Sequence, residues 1–356
     1  MYKISDYIRS GSLLARNILF PRHKKLSQLM IYATNRCQSR CRHCSIWQKP
    51  HDYLSKDEIV ALMSSRCVSR HTTVGLEGGE FVLHPQAKEI MEWFQTHHPN
   101  YTLLSNGLWP QKIIDLARRY RPRRLYLSLD GGRETYKTMR GVDGHDSVIH
   151  VIEALKEEIP VSLMFCLSPF NSFEDMSYTI DIARRYGLDI RIGIYGTMEY
   201  FDTTAEMLQT SAVDYTTSIP SDIHHTQENY DFVALYGQWR AGNLRLRCHS
   251  IFSSLVVHPD GNVPICQNLG LMLGNIKKKP LDRIFNSHES AAAQCRHSKE
   301  CNGCWINFHR KYDIILLRNL ERLLPKKLIE TFYGKYQWCS NSRLTYRKHL
   351  KNITKR

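Results

Sequence analysis

The sequence lacks any long hydrophobic run. Nowhere in its 356 residues is there a stretch of about 20 apolar residues, the length that a membrane-spanning helix needs. It also lacks an internal repeat and a low-complexity tract, and charged residues interrupt the apolar ones near its start, unlike those of a signal peptide. With 42% hydrophobic residues, we expect a folded cytoplasmic protein.

Acidic residues are scarce, most of all near the C-terminus. The chain has 34 Asp and Glu against 49 Lys and Arg, a formal net charge of +15. Residues 305–356 alone hold thirteen Lys or Arg and three acidic residues. Apolar residues recur among the basic ones at helical spacing: Ile314, Leu317, Leu320, Leu324 and Leu328.

This basic amphipathic tail, with Pro325 at a kink, has three interpretations. One is peripheral contact with an anionic membrane, such as the inner membrane face. The tail is equally typical of a helix packed against the barrel with its basic face in solvent. RNA is the partner that the sequence favours least, although aromatic residues suit base stacking: Tyr333, Tyr336, Trp338 and Tyr346.

No fourth cysteine accompanies the cluster formed by Cys37, Cys41 and Cys44. The chain has eleven cysteines, which in a reducing cytoplasm indicate metal ligands or redox groups ahead of disulfides. A structural zinc site wants four protein ligands, usually as two close pairs, whereas a 4Fe-4S cluster held by three thiolates leaves one iron open to a small molecule. The spacing therefore favours an iron-sulfur cluster.

Strand-like and helix-like segments alternate from residue 29 to residue 196. The predicted strands are 29–34, 72–78, 101–106, 124–130, 161–167 and 189–195. One helical pattern opens at Ser55 with Glu58 three residues later, as in a capping box. The alternation predicts an α/β fold, a partial (β/α)6 TIM-like barrel, whose active-site residues should share the rim at the C-terminal strand ends.

The cysteine loop and the segments after the next strands resemble the radical S-adenosylmethionine (SAM) superfamily, over residues 29–196. In that family SAM chelates the open iron, and reduction of the cluster yields a 5'-deoxyadenosyl radical that removes a hydrogen atom from the substrate. The resemblance implies a SAM-binding 4Fe-4S cluster on Cys37, Cys41 and Cys44 and a reductant such as flavodoxin or ferredoxin.

The resemblance also implies SAM-binding residues. Gly78, Gly79 and Glu80 match the family's Gly-Gly-Glu motif, in which the carboxylate receives the methionyl ammonium, although Phe81 replaces the usual proline. The other candidates are Ser105, Asn106, Ser128, Asp130, Arg140 for the SAM carboxylate, and His43 near adenine. Most of these also fit plainer roles as turns or surface side chains. Cys166 is a candidate hydrogen donor if it faces the barrel interior.

A second group of cysteines follows residue 247. Asp260-Gly261 within "FSSLVVHPDGNVPIC" predicts a β-hairpin whose second strand ends at Cys266. The pattern resembles the Twitch domain, the short form of the SPASM domain, which holds one auxiliary 4Fe-4S cluster, although a zinc ribbon has similar spacing. The implied ligands are Cys248, Cys266, Cys301 and Cys304, with Cys295 as an alternative, whereas Cys67 and Cys339 fit buried or free thiols.

These inferences divide the chain into an N-terminal extension (1–28), the core barrel (29–196), a connecting segment (197–247), the auxiliary-cluster domain (248–310) and the basic tail (311–356). Because about 28 residues are too few for a peptide-recognition domain ahead of the barrel, we expect a small or lipid-linked carbohydrate-like substrate, oxidised or epimerised. The alternatives are a maturase that modifies a peptide or protein and, outside enzymes, a zinc or iron-sulfur RNA-binding protein.

Overall fold

The computed structural model describes residues 4–196, 198–202 and 227–337. The predictions for Trp338, Cys339, Tyr346 and the rest of the tail, and for most of the connecting segment before residue 227, lie outside the described residues. Within the described ranges, no helix combines the length and the apolar character that crossing a membrane requires.

Seven parallel strands form one sheet, curled into a half-barrel, in the order β6-β5-β4-β3-β2-β1-β7. The strands are β1 (Gln28–Thr34), β2 (Thr73–Gly78), β3 (Tyr101–Ser105), β4 (Arg124–Ser128), β5 (Val161–Leu167), β6 (Asp189–Ile194) and β7 (Ser254–Val257). The predicted partial barrel is confirmed, and the six predicted strands match to within two residues at each end. The sheet is open, because β6 and β7 each have one neighbour.

Helices follow most strands and cover the sheet. They are α1 (Ile4–Leu19), α2 (Lys56–Met63), α3 (Ala87–His97), α4 (Pro110–Tyr120), α5 (Arg133–Arg140), α6 (His145–Leu155), α7 (Phe173–Arg185), α8 (Gln227–Arg240), α9 (Leu281–Phe285), α10 (His288–Glu300), α11 (Asn307–Leu323) and α12 (Lys326–Tyr333). The predicted capping box is present: the Glu58 N–H donates to the Ser55 hydroxyl, and the Ser55 N–H donates to the Glu58 carboxylate at 2.7 Å.

The strands divide their side chains between a packed face and a cavity. Leu29, Ile31 and Val74 point to the face that packs against the helices, where they are fully buried. The alternate residues of β1 and β2 line the cavity inside the half-barrel: Gln28, Met30, Tyr32, Thr73, Gly75 and Glu77. The interior of the half-barrel is therefore available to ligands.

The prediction of a β-hairpin around Asp260-Gly261 is wrong for the strand before the turn. The turn forms, with φ of +89° at Gly261, but β7 pairs in parallel with β1 instead of with the strand after the turn. That strand, β8 (Asn262–Pro264), pairs antiparallel with β9 (Met272–Asn275). All four residues of β7 are buried, so they bury more apolar surface in a seven-stranded sheet than in an isolated two-stranded hairpin.

The apolar face of the tail packs against the protein. Ile314 and Leu317 are buried in the core, and Leu320 and Leu324 pack against it. Pro325 divides the tail into α11 and α12, as the sequence predicts. Up to residue 337 the structure therefore agrees with the packed-helix interpretation, and the face proposed for membrane contact is largely covered.

Candidate active site

The predicted polar groups after β1 to β4 lie along one rim of the interior cavity. Cys37, Gly79, Asn106 and Asp130, one from each group, line it together. Its volume of about 1390 Å³ exceeds the roughly 300–1,000 Å³ of a site for one small ligand. The cavity therefore has room for a cofactor and part of a substrate at the same time.

The loop after β1 brings Cys37, Cys41 and Cys44 together. Burial, with smaller contributions from the charges of Glu80 and Cys41, raises the pKa of the Cys37 thiol to about 12. Burial and the other two thiols also raise the pKa of Cys44. Asn106 Nδ2 donates to Cys37 Sγ at 3.7 Å. The loop thus places three thiols in one small volume, and burial makes Cys37 and Cys44 poor acids by themselves.

Glu80 is held deep in the site. Its side chain is 1% exposed, and its Oε2 accepts the Asn106 N–H at 2.8 Å. Burial raises the pKa of its carboxyl to about 7, although hydrogen bonds from Asn106 and Ser105 oppose the shift. A Cβ at Gly79 would lie 2.3 Å from the Arg36 carbonyl oxygen, so the backbone requires glycine there. The turn forms without the usual proline.

Asp130, Arg140 and Cys166 form a buried network across β4, α5 and β5. Arg140 Nε donates to Asp130 Oδ2 at 2.8 Å, and the Cys166 N–H donates to Asp130 Oδ1 at 3.0 Å. Arg140 Nη1 also lies 3.8 Å from Cys41 Sγ. Burial, with a further contribution from Asp130, raises the pKa of the Cys166 thiol to about 12, so this thiol keeps its hydrogen at neutral pH.

His43 and Ser128 line the same cavity. The His43 ring lies edge-on to Tyr195, with 6.3 Å between ring centres. Its buried Nδ1 has no hydrogen-bond partner among the described residues. Burial lowers the pKa of His43 to about 4, so the ring is neutral. An uncharged ring with an unused nitrogen suits contact with a planar ligand.

The C-terminal cysteines form a second group. Cys248, Cys266, Cys301 and Cys304 are electrostatic neighbours of one another, and burial raises the pKa of Cys248, Cys266 and Cys304 to about 12. Cys295 is exposed on α10 and lies near Lys24 instead. The structure thus brings together the four predicted ligands and places Cys295 elsewhere.

A buried arginine, which the sequence analysis missed, lies beside this second group. Arg310 is fully buried, and its Nε donates to the Cys304 carbonyl oxygen at 2.9 Å. The groups that interact electrostatically with its positive charge are, in decreasing strength, Cys304, Asp313, Cys248 and Cys301. The sequence signal was weak, because a basic residue six positions after Cys304 looks like one more charge of the basic tail.

Glu77 is the second residue that the sequence analysis missed. It faces the cavity from β2, and its carboxylate makes no hydrogen bond with any described residue. Burial raises the pKa of this carboxyl to about 7, and the charge of Arg191 on β6 opposes the shift. The Arg191 guanidinium lies over the Tyr126 ring at 4.4 Å. The alternation along β2 could have placed Glu77 inside, since Gly75 and Glu77 share a face.

The donor sets of both cysteine groups fit iron-sulfur clusters. Among the described residues no three His, Cys, Asp or Glu side chains converge on the position of one ion. In a 4Fe-4S cluster, by contrast, each thiolate binds a different iron. Buried thiols with a raised pKa become stable thiolates when a metal supplies the compensating charge.

Two family patterns match the sequence. That of the Radical SAM superfamily matches residues 31–183, and that of the SPASM iron-sulfur cluster-binding domain matches residues 248–305. The chain is a radical SAM enzyme with a SPASM domain. Its cofactors are accordingly SAM, a SAM-binding 4Fe-4S cluster and an auxiliary 4Fe-4S cluster. The alternative of a non-enzymatic RNA-binding protein is not supported.

This radical SAM enzyme is similar to the antilisterial bacteriocin subtilosin biosynthesis protein AlbA of Bacillus subtilis (strain 168). The two are 24% identical over 311 residues, 78% of this chain and 68% of AlbA. It is also 26% identical to a probable GTP 3',8-cyclase of Saccharolobus solfataricus, over 172 residues, which are 47% of this chain and 56% of the cyclase. Thus it spans little more than half of that second relative.

The fold of the radical SAM enzyme is similar to that of Streptococcus suis SuiB. The structure of SuiB bound to the precursor peptide SuiA superposes with a TM-score of 0.57 at 13% identity, over 83% of this chain and 74% of SuiB. SuiB bound to S-adenosylmethionine gives a TM-score of 0.55 at 14% identity. At these identities the likeness concerns the fold alone.

Proposed function

We propose that this radical SAM enzyme modifies a peptide or protein substrate. The observation that carries the proposal is the extent of the likeness to a bacteriocin biosynthesis protein, which runs over 311 residues. That length exceeds the two family patterns, residues 31–183 and 248–305, taken together. The likeness to the GTP cyclase covers 47% of the chain and is compatible with a shared barrel.

This proposal reverses the order of the two hypotheses drawn from the sequence. The sequence analysis favours a carbohydrate-like substrate, whereas the likeness to a bacteriocin biosynthesis protein supports the peptide alternative. A cavity of about 1390 Å³ that opens at the rim has room for a peptide segment.

We assign SAM binding to the rim residues. Cys37, Cys41 and Cys44 would hold the SAM-binding cluster, and Glu80 would accept the methionyl ammonium. When bound, the cluster and SAM supply a 5'-deoxyadenosyl radical that removes a hydrogen atom from the substrate. The Gly79 backbone allows close approach of the ligand, because a side chain there would meet the Arg36 carbonyl.

The remaining rim residues would orient SAM. The Arg140 Nε donates to Asp130 at 2.8 Å, and its Nη1 points toward Cys41 of the cysteine loop. This guanidinium therefore suits the SAM carboxylate. Neutral His43 suits the adenine ring, and Ser128 lies where the ribose would contact β4. Ser105 and Asn106 support Glu80 through hydrogen bonds. Cys166 remains the candidate hydrogen donor, since it lines the cavity as a protonated thiol.

The second cysteine group would hold a single auxiliary cluster. Cys248, Cys266, Cys301 and Cys304 supply the four thiolates that one closed cluster requires. An electron acceptor near the substrate favours a net oxidation over an epimerisation. A net oxidation also releases a proton, and Glu77, with a pKa raised by burial to about 7, is suited to accept it from the substrate. An external reductant such as flavodoxin or ferredoxin would reduce the SAM-binding cluster.

The proposal is tested with anaerobically reconstituted enzyme, SAM, dithionite and the short peptides encoded next to its gene. We expect 5'-deoxyadenosine and a peptide that has lost two hydrogens per oxidation, both detected by mass spectrometry. Cys41→Ala should abolish both products, whereas Cys295→Ala, an exposed cysteine, should leave them unchanged. Oxidation of a carbohydrate but of no peptide under these conditions would refute the proposal.

A further inference from the structure

A second cavity lies at the end of the sheet opposite the cysteine loop. Its volume is about 900 Å³. It is formed by the end of α1, the segment that leads into β1, the end of α2 and α9. These segments precede the strands, whereas the SAM-binding rim follows them. The second cavity is therefore separate from the active site.

Its lining is strongly basic. The positively charged lining residues are Arg16, Arg22, Lys24, Lys25, Arg66 and Arg283. Asp282 is the single carboxylate among the lining residues that the structure describes. None of the four arginine side chains forms an ion pair or a hydrogen bond with a described residue. This differs from Arg118 and Arg133 elsewhere on the surface, which pair with acidic residues.

Lys24 is a buried positive charge in the cavity lining. Its side chain is 1% exposed, and its ammonium donates to the Pro21 carbonyl oxygen and lies 4.6 Å from the centre of the Phe285 ring. Burial lowers its pKa to about 8. An ammonium has three N–H donors, and one acceptor is present for them among the described residues. The Pro21 carbonyl and the Phe285 ring compensate this charge in part, and an anion in the cavity would add to them.

Apolar side chains beside the cavity indicate which kind of anion fits. Ile18, Leu19 and Phe20, between Arg16 and Arg22, are 43%, 72% and 57% exposed. An inorganic anion would leave this apolar patch unused. A single-stranded nucleic acid stacks successive bases on several aromatic rings, whereas this patch offers the ring of Phe20 beside two aliphatic side chains. A peptide that combines acidic and apolar residues uses both features.

We propose that the basic cavity binds an acidic, partly apolar segment of the peptide substrate. This inference rests on the proposed function, since it identifies the ligand as part of that substrate. Because the cavity and the SAM-binding rim lie at opposite ends of the strands, the bound segment is remote from the residue that reacts. The cavity thus holds the substrate while a different part of it enters the barrel.

The test is fluorescence anisotropy with the full-length reconstituted enzyme and a labelled peptide of Glu and Leu. Combined Arg16→Gln, Arg22→Gln and Arg283→Gln substitutions should weaken binding by roughly tenfold or more, as expected for three lost charge contacts. The matched control is Lys88→Gln, Arg119→Gln and Arg185→Gln, which removes the same charge from exposed positions outside the cavity. Circular dichroism and iron content check that both variants are folded.

Further arms identify the ligand. Wild-type binding should weaken as ionic strength rises from about 0.01 M to about 0.15 M, because the Debye length falls from about 30 Å to about 8 Å. A Lys and Leu peptide should not bind, and a Glu and Ser peptide should bind more weakly. Equal losses in both triple variants, or displacement by an RNA oligonucleotide or inorganic phosphate at lower concentration than the Glu and Leu peptide, would overturn the assignment.

Binding is read separately from chemistry. Cys41→Ala should bind the Glu and Leu peptide as well as the wild type does, although it modifies no substrate. If the wild type binds this peptide through the cavity arginines but oxidises no peptide, the proposed function fails and the acidic-peptide site stands. If it oxidises a peptide and the arginine substitutions leave binding unchanged, the cavity assignment fails alone.

Discussion

Glu77→Gln should stabilise the protein while impairing its chemistry. The carboxyl has an unfolded-state pKa of 4.5, and burial raises the folded-state pKa to about 7. The folded protein therefore binds this proton more tightly than the unfolded chain does, so stability falls as pH rises from about 4.5 to about 7 and is level above that range. Glutamine has the shape of the protonated acid and does not ionise.

The size of the effect follows from the two pKa values. At about 1.4 kcal/mol for each tenfold change in proton affinity, ionised Glu77 lowers the free energy of unfolding by about 3 kcal/mol at pH 8 and by about 1 kcal/mol at pH 5. Glu77→Gln should remove this cost. The variant should thus be more stable than the wild type, with the larger gain at pH 8.

The assay is urea unfolding of the reconstituted enzyme at pH 5 and pH 8 under anaerobic conditions, with the difference between variants taken at each pH. Glu92→Gln, an exposed glutamate on α3, is the matched control. Peptide oxidation by Glu77→Gln should decrease while 5'-deoxyadenosine still forms, because the substitution leaves the SAM-binding rim intact. A stability gain that is equal at both pH values, or a loss at pH 8, would refute the reasoning.

Three further outcomes follow from the site and the core. Iron analysis should find about eight irons per chain in the wild type and about four after Cys248→Ala plus Cys266→Ala, since one of two clusters is lost; an unchanged iron content would contradict the assignment. Arg310→Gln should lower the reduction potential of the auxiliary cluster, measured by EPR-monitored titration, because a buried positive charge favours the reduced state, whereas Arg185→Gln should not shift it. Leu317→Ala should destabilise the enzyme by about 2–5 kcal/mol in denaturant unfolding, because the side chain is fully buried. Leu323→Ala, at an exposed position of the same helix, should have little effect. Equal effects of the two substitutions would show that α11 does not pack as described.

Local patterns account for what the sequence could predict. The strands of the barrel follow from short apolar runs separated by helical periodicity, and the position of Cys37, Gly79 and Asp130 on one rim follows from parallel pairing. Gly79 could be recognised from the Gly-Gly-Glu motif, although the reason for glycine there is a close approach to the distant Arg36 carbonyl. The patterns that predict these features lie within short stretches of the chain.

Other features depend on contacts between distant segments. The sequence predicts β7 as a hairpin arm, but β7 pairs with β1, which joins residues more than 220 positions apart. Burial of Leu255, Val256 and Val257 favours this pairing. The tail sequence fits membrane contact and packing against the barrel about equally, and burial of Ile314 and Leu317 in the core decides for packing. An amphipathic pattern predicts that one face is covered, and it does not say by what.

The sequence by itself determined the cluster chemistry, because thiolate spacing within one loop is a local property that survives in any fold that exposes the loop to iron. The tertiary structure decided which charges those local motifs meet. Glu77 inside the barrel, Arg310 beside the second cysteine group and the arginines around Lys24 are unremarkable in sequence. Their roles follow from burial, because taking a charge out of water costs far more free energy than the interactions of that charge with its neighbours along the chain.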